Sequence, residues 1–231
     1  GRDYAAVSEG RENMRGLLRN NFYATLAGAK AFVGIAVLLG IFVVAMDNVI
    51  PTLIISYALL VMIGFSLNSI ASIRKESATK WAKYKMTAPV KRADIVKSFF
   101  VSQLLWLFVG TGFAAAAVAS SVALHGFPFD RNTDLFMLFV VGIGISLFMG
   151  AFFIPLYFLG GEERSEVILV VSLLGGTGML MGLTALINKL YPGEMTPRQI
   201  ILSGIFIIAC GAAAFALSCP VAAGVFRRKE Y

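Results

Sequence analysis

The stretch Gly160-Gly161-Glu162-Glu163-Arg164-Ser165-Glu166 sets three carboxylates and a guanidinium within seven residues. Adjacent carboxylates can divide acid and base roles or share a metal. A metal hydrolase buried in a membrane would use a Glu pair followed after three residues by Arg. Here that position is Val167. A zinc site also needs three or four ligands, and the chain holds one histidine, His125, remote in sequence. Its two cysteines, Cys210 and Cys219, lie nine residues apart in one apolar run. That spacing suits neither a metal pair nor a disulfide, so they read as small packing residues. No G-x-x-x-x-G-K-[ST] occurs, so the chain has no phosphate-cradling loop of its own. The glycines of LLGGTGMLMG (173–182) lie inside an apolar segment. There Gly178 and Gly182 form a small-xxx-small pair suited to close helix packing, and GFAAAAVASS (112–121) reads the same way. No catalytic residue, metal site or bound cofactor is expected of this chain.

The elements around these residues are apolar. Of 231 residues, 58% are hydrophobic and 14% charged, against roughly a quarter charged in soluble domains. Six runs are long enough to cross a bilayer core of about 30 Å as helices. They fall near 26–46, 49–72, 98–124, 135–159, 167–187 and 200–225, with polar, Gly- and Pro-bearing joints between them. The expected fold is an all-α polytopic membrane protein with six transmembrane helices in a single domain over 26–225. Residues 1–25 read as an N-terminal cytoplasmic or interfacial segment and 226–231 as a basic tail. The opening polar stretch lacks the apolar run and small-residue site of a signal peptide. Residues 1–13 ahead of Met14 read either as native or as an addition, and the sequence alone leaves both open.

Positive residues favour the cytoplasmic side. With both termini inside, seventeen of the twenty Lys and Arg are cytoplasmic, and only Arg131, Lys189 and Arg198 are outside. The net charge of +7 is therefore topology and headgroup affinity, not a nucleic-acid signal. Within the spans only Lys30 is ionisable, near enough to an end to snorkel. A carboxylate-based ion pump or a charged-ring channel is disfavoured.

The largest cytoplasmic element is IRKESATKWAKYKMTAPVKRADIVKSF (73–99), which carries eight of the twenty cations. Wound as a helix, 75–86 puts Ala78, Trp81, Ala82 and Met86 on one side, with Lys85 intruding. Glu76 and Lys80 form an i,i+4 pair. Trp81 and Tyr84 suit a membrane interface. Pro89 ends this helix, and a new one starts near Arg92-Ala93-Asp94-Ile95. The segment 73–97 is thus either an interfacial anchor or a docking element for a cytoplasmic motor, and composition does not separate the two.

The order Glu76, Trp81, Tyr84, Thr87, Pro89-Val90, Arg92, Ile95-Val96, Ser98 resembles the signature loop of small bacterial ABC type-2 permeases. IPLYFLGGEERSE (154–166) is similar to that family's Pro-Leu run entering a Gly-x-Glu-Lys-x-x-Arg loop. MRGLLRNNFY (14–23) and LSCPVAAGVFRRKEY (217–231) are similar to its usual start and end, so the resemblance covers about 14–231. This sequence departs from the pattern at Lys91, where Ser is common, and at Glu163, where Lys is common.

The resemblance implies the permease half of an ABC exporter in the bacterial plasma membrane. It would pair with a second copy as a homodimer or close heterodimer. Two separate ATPase subunits would carry ATP and Mg. A coupling helix at 75–86 would act through Glu76, Lys80, Trp81, Lys83, Tyr84, Pro89 and Arg92. Glu162, Glu163 and Arg164 would make a second contact, and the N-terminal segment would be an interfacial elbow helix. The most similar permeases include exporters of amphipathic peptides such as phenol-soluble modulins. By analogy the second and fifth spans would line the path with Tyr57, Phe65, Asn68, Thr177, Met181 and Thr184; ordinary helix packing is the plainer reading of each. Antimicrobial or lipid-like cargo and sodium follow amphipathic peptide as expectations. A membrane scaffold or immunity protein without transport, or a membrane enzyme active alone, are the alternatives from other classes.

Overall fold

A computed structural model describes residues 2–46, 52–77, 92–127, 129, 131–161, 163–193 and 195–228. The described residues form six helices: α1 Arg2–Met46, α2 Thr52–Ser77, α3 Arg92–His125, α4 Asn132–Gly160, α5 Ser165–Leu190 and α6 Pro197–Arg228. Each holds a window long and apolar enough to span a membrane: Gly28–Met46, Thr52–Ala71, Asp94–His125, Asn132–Gly160, Ser165–Leu190 and Pro197–Phe226. The six expected spans match these windows closely. The apolar runs form helices because a backbone in lipid must satisfy its own hydrogen bonds. Their hydroxyls do the same: Thr111, Ser120, Ser172, Thr177 and Thr184 each donate to the carbonyl four residues back.

Helix ends follow local chemistry. At the start of α4 the Arg131 N–H donates to the Asp134 carboxylate at 3.2 Å. Before α6 the Thr196 N–H and hydroxyl both donate to Gln199 Oε1, one half of a capping box. Gly161 closes α4 with φ +76° and ψ −176°, a conformation essentially restricted to glycine.

Helix α1 runs unbroken from Arg2 to Met46, so the N-terminal segment and the first span lie on one helix. No proline occurs before Pro51 to stop it. At 1.5 Å per residue the helix is about 67 Å long, some twice the bilayer core.

Packing divides the helices into two triplets. In the first, Ala29, Ala36 and Val43 of α1 meet Tyr57, Val61, Met62 and Phe65 of α2 and Trp106 and Ala114 of α3. In the second, Val140 and Ile145 of α4 meet Leu180 and Ile187 of α5 and Ile207 of α6. A third apolar cluster joins the triplets where α2 and α4 end and α3 begins, through Ile73, Ile95, Phe99, Phe158 and Phe226 among others.

Backbones approach closely inside each triplet at one glycine. A Cβ on Gly110 of α3 would sit 3.1 Å from the Val61 carbonyl and 3.2 Å from Met62 Cα of α2. On Gly176 of α5 it would sit 2.8 Å from the Met149 nitrogen of α4. The sequence expectation named Gly178 and Gly182 for this task, yet a Cβ at either would meet nothing within 4 Å. Residues 176 and 178 are 200° apart around the helix, so only one of them can face α4.

Candidate coupling face and membrane interior

Chain direction brings the ends of α2, α4 and α6 and the starts of α3 and α5 to one side of the bundle. The cation-rich 73–97 segment therefore shares a side with the Glu162-Glu163-Arg164 turn. Helix α2 carries on to Ser77, so Glu76 sits in its last turn. Arg92 is the first residue of α3, where a new helix was expected. Lys80, Trp81, Lys83, Tyr84 and Pro89 lie in 78–91, outside the described residues, as does Glu162. The expected amphipathic helix at 75–86 and its proline break therefore fall largely there. Glu163 and Arg164 form an exposed turn, and the Arg164 carbonyl accepts from the Ile168 N–H at 3.0 Å as α5 begins.

The two helices that flank residues 78–91, α2 and α3, pack along much of their length. Buried apolar residues stand on either side of that segment, Ile73 before it and Ile95 and Val96 after it. Lys97 pairs with Asp94 at 3.9 Å on the surface, a contact worth little in stability. Beneath lies a group of aromatic rings that sequence reasoning did not single out. Phe99 of α3 and Phe158 of α4 have centroids 6.3 Å apart, and Phe158 meets Phe226 of α6 at 5.0 Å. Phe100 and Phe215 pair edge-on at 4.8 Å. Each such pair adds about 0.5–1.5 kcal/mol beyond area burial. The start of α3 and the ends of α4 and α6 are thereby tied together on this side of the bundle. The signal was present in the sequence as Phe99-Phe100 and Phe158 beside loop boundaries, but a single sequence does not say which helices meet.

The six pathway candidates divide. Tyr57 is buried and its hydroxyl donates to the Ala36 carbonyl of α1 at 2.8 Å. It sits over Gly40, where a Cβ would lie 2.6 Å from the hydroxyl. Phe65 has 0% exposure. It packs edge-on to Phe32 of α1, stacks on Trp106 and meets Phe113, both of α3. Asn68 is half-buried, as are Thr177 and Thr184, whose hydroxyls are engaged by their own helix. Met181 faces outward at 66% exposure. Helices α2 and α5 both pack on α4 and not extensively on each other, so one chain does not bring these six residues together.

A further residue emerges at the centre. Gln103 of α3 is buried, and its Nε2 donates to Ser66 Oγ of α2 at 3.4 Å and to the Ser146 carbonyl of α4 at 3.2 Å. A polar side chain inside an apolar helix was legible in the sequence; its partners were not. Among the described residues no three His, Cys, Asp or Glu side chains group as a metal site.

Comparison with known proteins adds one match. No curated protein and no solved structure matches the chain. The family model described as ABC-2 family transporter protein matches residues 16–226. That match runs through all six helices, and the chain accordingly belongs to the ABC-2 family of transporter proteins, as a multi-pass membrane subunit of an ABC transporter.

Proposed function

We propose that this chain is the permease subunit of an ATP-driven exporter of amphipathic peptides, of which phenol-soluble modulins are the type. It acts as a pair, takes its energy from two copies of a separate ATPase subunit that carries ATP and Mg, and does no chemistry itself. Both termini and the 73–97 segment face the cytoplasm of a bacterial cell. The observation that carries this reading is the family match over 16–226. The charge asymmetry of the sequence supports the orientation.

The cation-rich loop between α2 and α3 is the motor dock in this reading. A push at the loop would reach α3 directly and α4 and α6 through Phe99, Phe158 and Phe226, because close-packed interiors transmit strain. The exposed Glu163–Arg164 turn would be the second contact. An amphipathic cargo is supported by the wide apolar outward surface of α5, which includes Val167, Val170, Leu174 and Met181. Between Glu166 in its first turn and Lys189 in its last, α5 presents no fixed charge to an amphiphile.

The test is charge reversal of Lys80 and Lys83 to Glu in the chain co-expressed with its ATPase. The reading predicts an assembled or weakened complex whose ATP hydrolysis no longer drives export. Unchanged export would remove the docking role from this loop.

A further inference from the structure

Within each triplet of helices the contacts are rigid, with backbone against backbone at Gly110 and at Gly176. Much of the contact between the triplets has another character. On α4 the residues Gly142, Ser146 and Gly150 repeat every four positions and form one small-residue stripe. Met62 of α2 fills the space at Gly142, and the Gln103 amide fills the space at Gly150. A Cβ at Gly150 would lie on the amide itself. This part of the seam is made by two long, flexible side chains resting where α4 has none.

The amide bonding across the seam is incomplete. Gln103 Nε2 uses the Ser146 carbonyl, while Gln103 Oε1 and the Ser146 hydroxyl are both buried with no partner. An unused acceptor and an unused donor therefore sit on the same two residues. Exchanging the amide oxygen and nitrogen does not repair this, because Oε1 would then face the Ser146 carbonyl. In a bilayer interior such groups are costly to leave unpaired. They would satisfy one another if α4 shifted against α3 and the hydroxyl came round to donate to Oε1.

We infer that Gln103 is a positioning residue at a joint between the two triplets, and that its amide trades the Ser146 carbonyl for the Ser146 hydroxyl as the triplets shift during the transport cycle. The inference rests on the permease reading. Two arrangements of similar energy, each with part of the amide satisfied, are what a two-state element requires.

The joint is tested by spin-label distances in the chain assembled with its ATPase. Leu124→Cys at the end of α3 and Leu202→Cys near the start of α6 are outward-facing, on the same side, one in each triplet. Cys210 and Cys219 are first changed to Ala, and labelled chain is diluted with unlabelled chain so that only distances within one copy are read. The wild-type seam gives a distance that differs between nucleotide-free and ATP-bound complexes. Ser146→Ala keeps the carbonyl bond seen here and removes only the unused hydroxyl. It should lower the population of the second distance on the order of fivefold, the worth of one hydrogen bond. Gln103→Leu should abolish the second distance.

A wild-type distance that does not respond to nucleotide overturns the joint, and so does a Ser146→Ala chain that behaves as wild type. Failure of any ATPase to assemble with the chain removes the permease reading itself, and the joint with it.

Discussion

At the residue scale, burial decides which substitutions report on transport and which only report on folding. Phe65 was a natural candidate for the cargo path, but it is enclosed by Phe32, Trp106 and Phe113. Phe65→Ala opens a cavity among three helices and should cost roughly 3–5 kcal/mol, seen as a lowered melting temperature in detergent before any transport assay is run. Tyr57→Phe removes the bond to the Ala36 carbonyl and should cost about 1 kcal/mol by the same measurement. Met181 is the better probe of cargo contact. Met181→Ala should leave thermal stability within about 0.5 kcal/mol; a large loss of stability would place that side chain in a packed interface. Gly161→Ala forces a Cβ into a glycine-only conformation and should cost about 1–3 kcal/mol. Its effect should fall on the α4–α5 turn, so protease sensitivity at Glu163–Arg164 should rise.

At the element scale, the sequence specified the six helices because apolar length is read directly against bilayer thickness. The start of α3 near Arg92 was equally legible, since a proline precedes it and an acidic residue, Asp94, occupies its first turn. The unbroken α1 was not, because a polar segment before an apolar run reads as two elements when nothing but helix continuity joins them. Which glycines pack was also hidden. Gly176 and Gly178 have the same composition around them, and the choice between them is made by the rotation of α5 against α4. Gln103 is a similar case: its type marks it as unusual in a span, while its partners on α2 and α4 are set by tertiary packing alone.

The ends of α2, α4 and α6 and the starts of α3 and α5 lie on one side of the bundle. If the loop between α2 and α3 is the dock, rigidity of its roots matters. Phe158→Ala removes contacts with both Phe99 and Phe226. It should weaken export more than it weakens ATPase binding, measured as transport per ATP hydrolysed at equal complex yield.

For the whole molecule, six membrane-spanning helices of the ABC-2 family need a source of energy for transport. The described spans hold no cluster of carboxylates or metal ligands, and the sequence has no phosphate-binding loop. ABC-2 family membrane proteins work with ABC ATPase partners generally, and the proposed exporter draws its work from such a partner chain. The most direct measurement is purification of the chain in detergent after co-expression with its genomic neighbours, scored for a co-purifying ATPase. The account predicts a stoichiometric nucleotide-binding subunit that is lost or uncoupled when Lys80 and Lys83 are reversed. Recovery of the chain with no nucleotide-binding partner would contradict it, and a membrane scaffold would then be the better description.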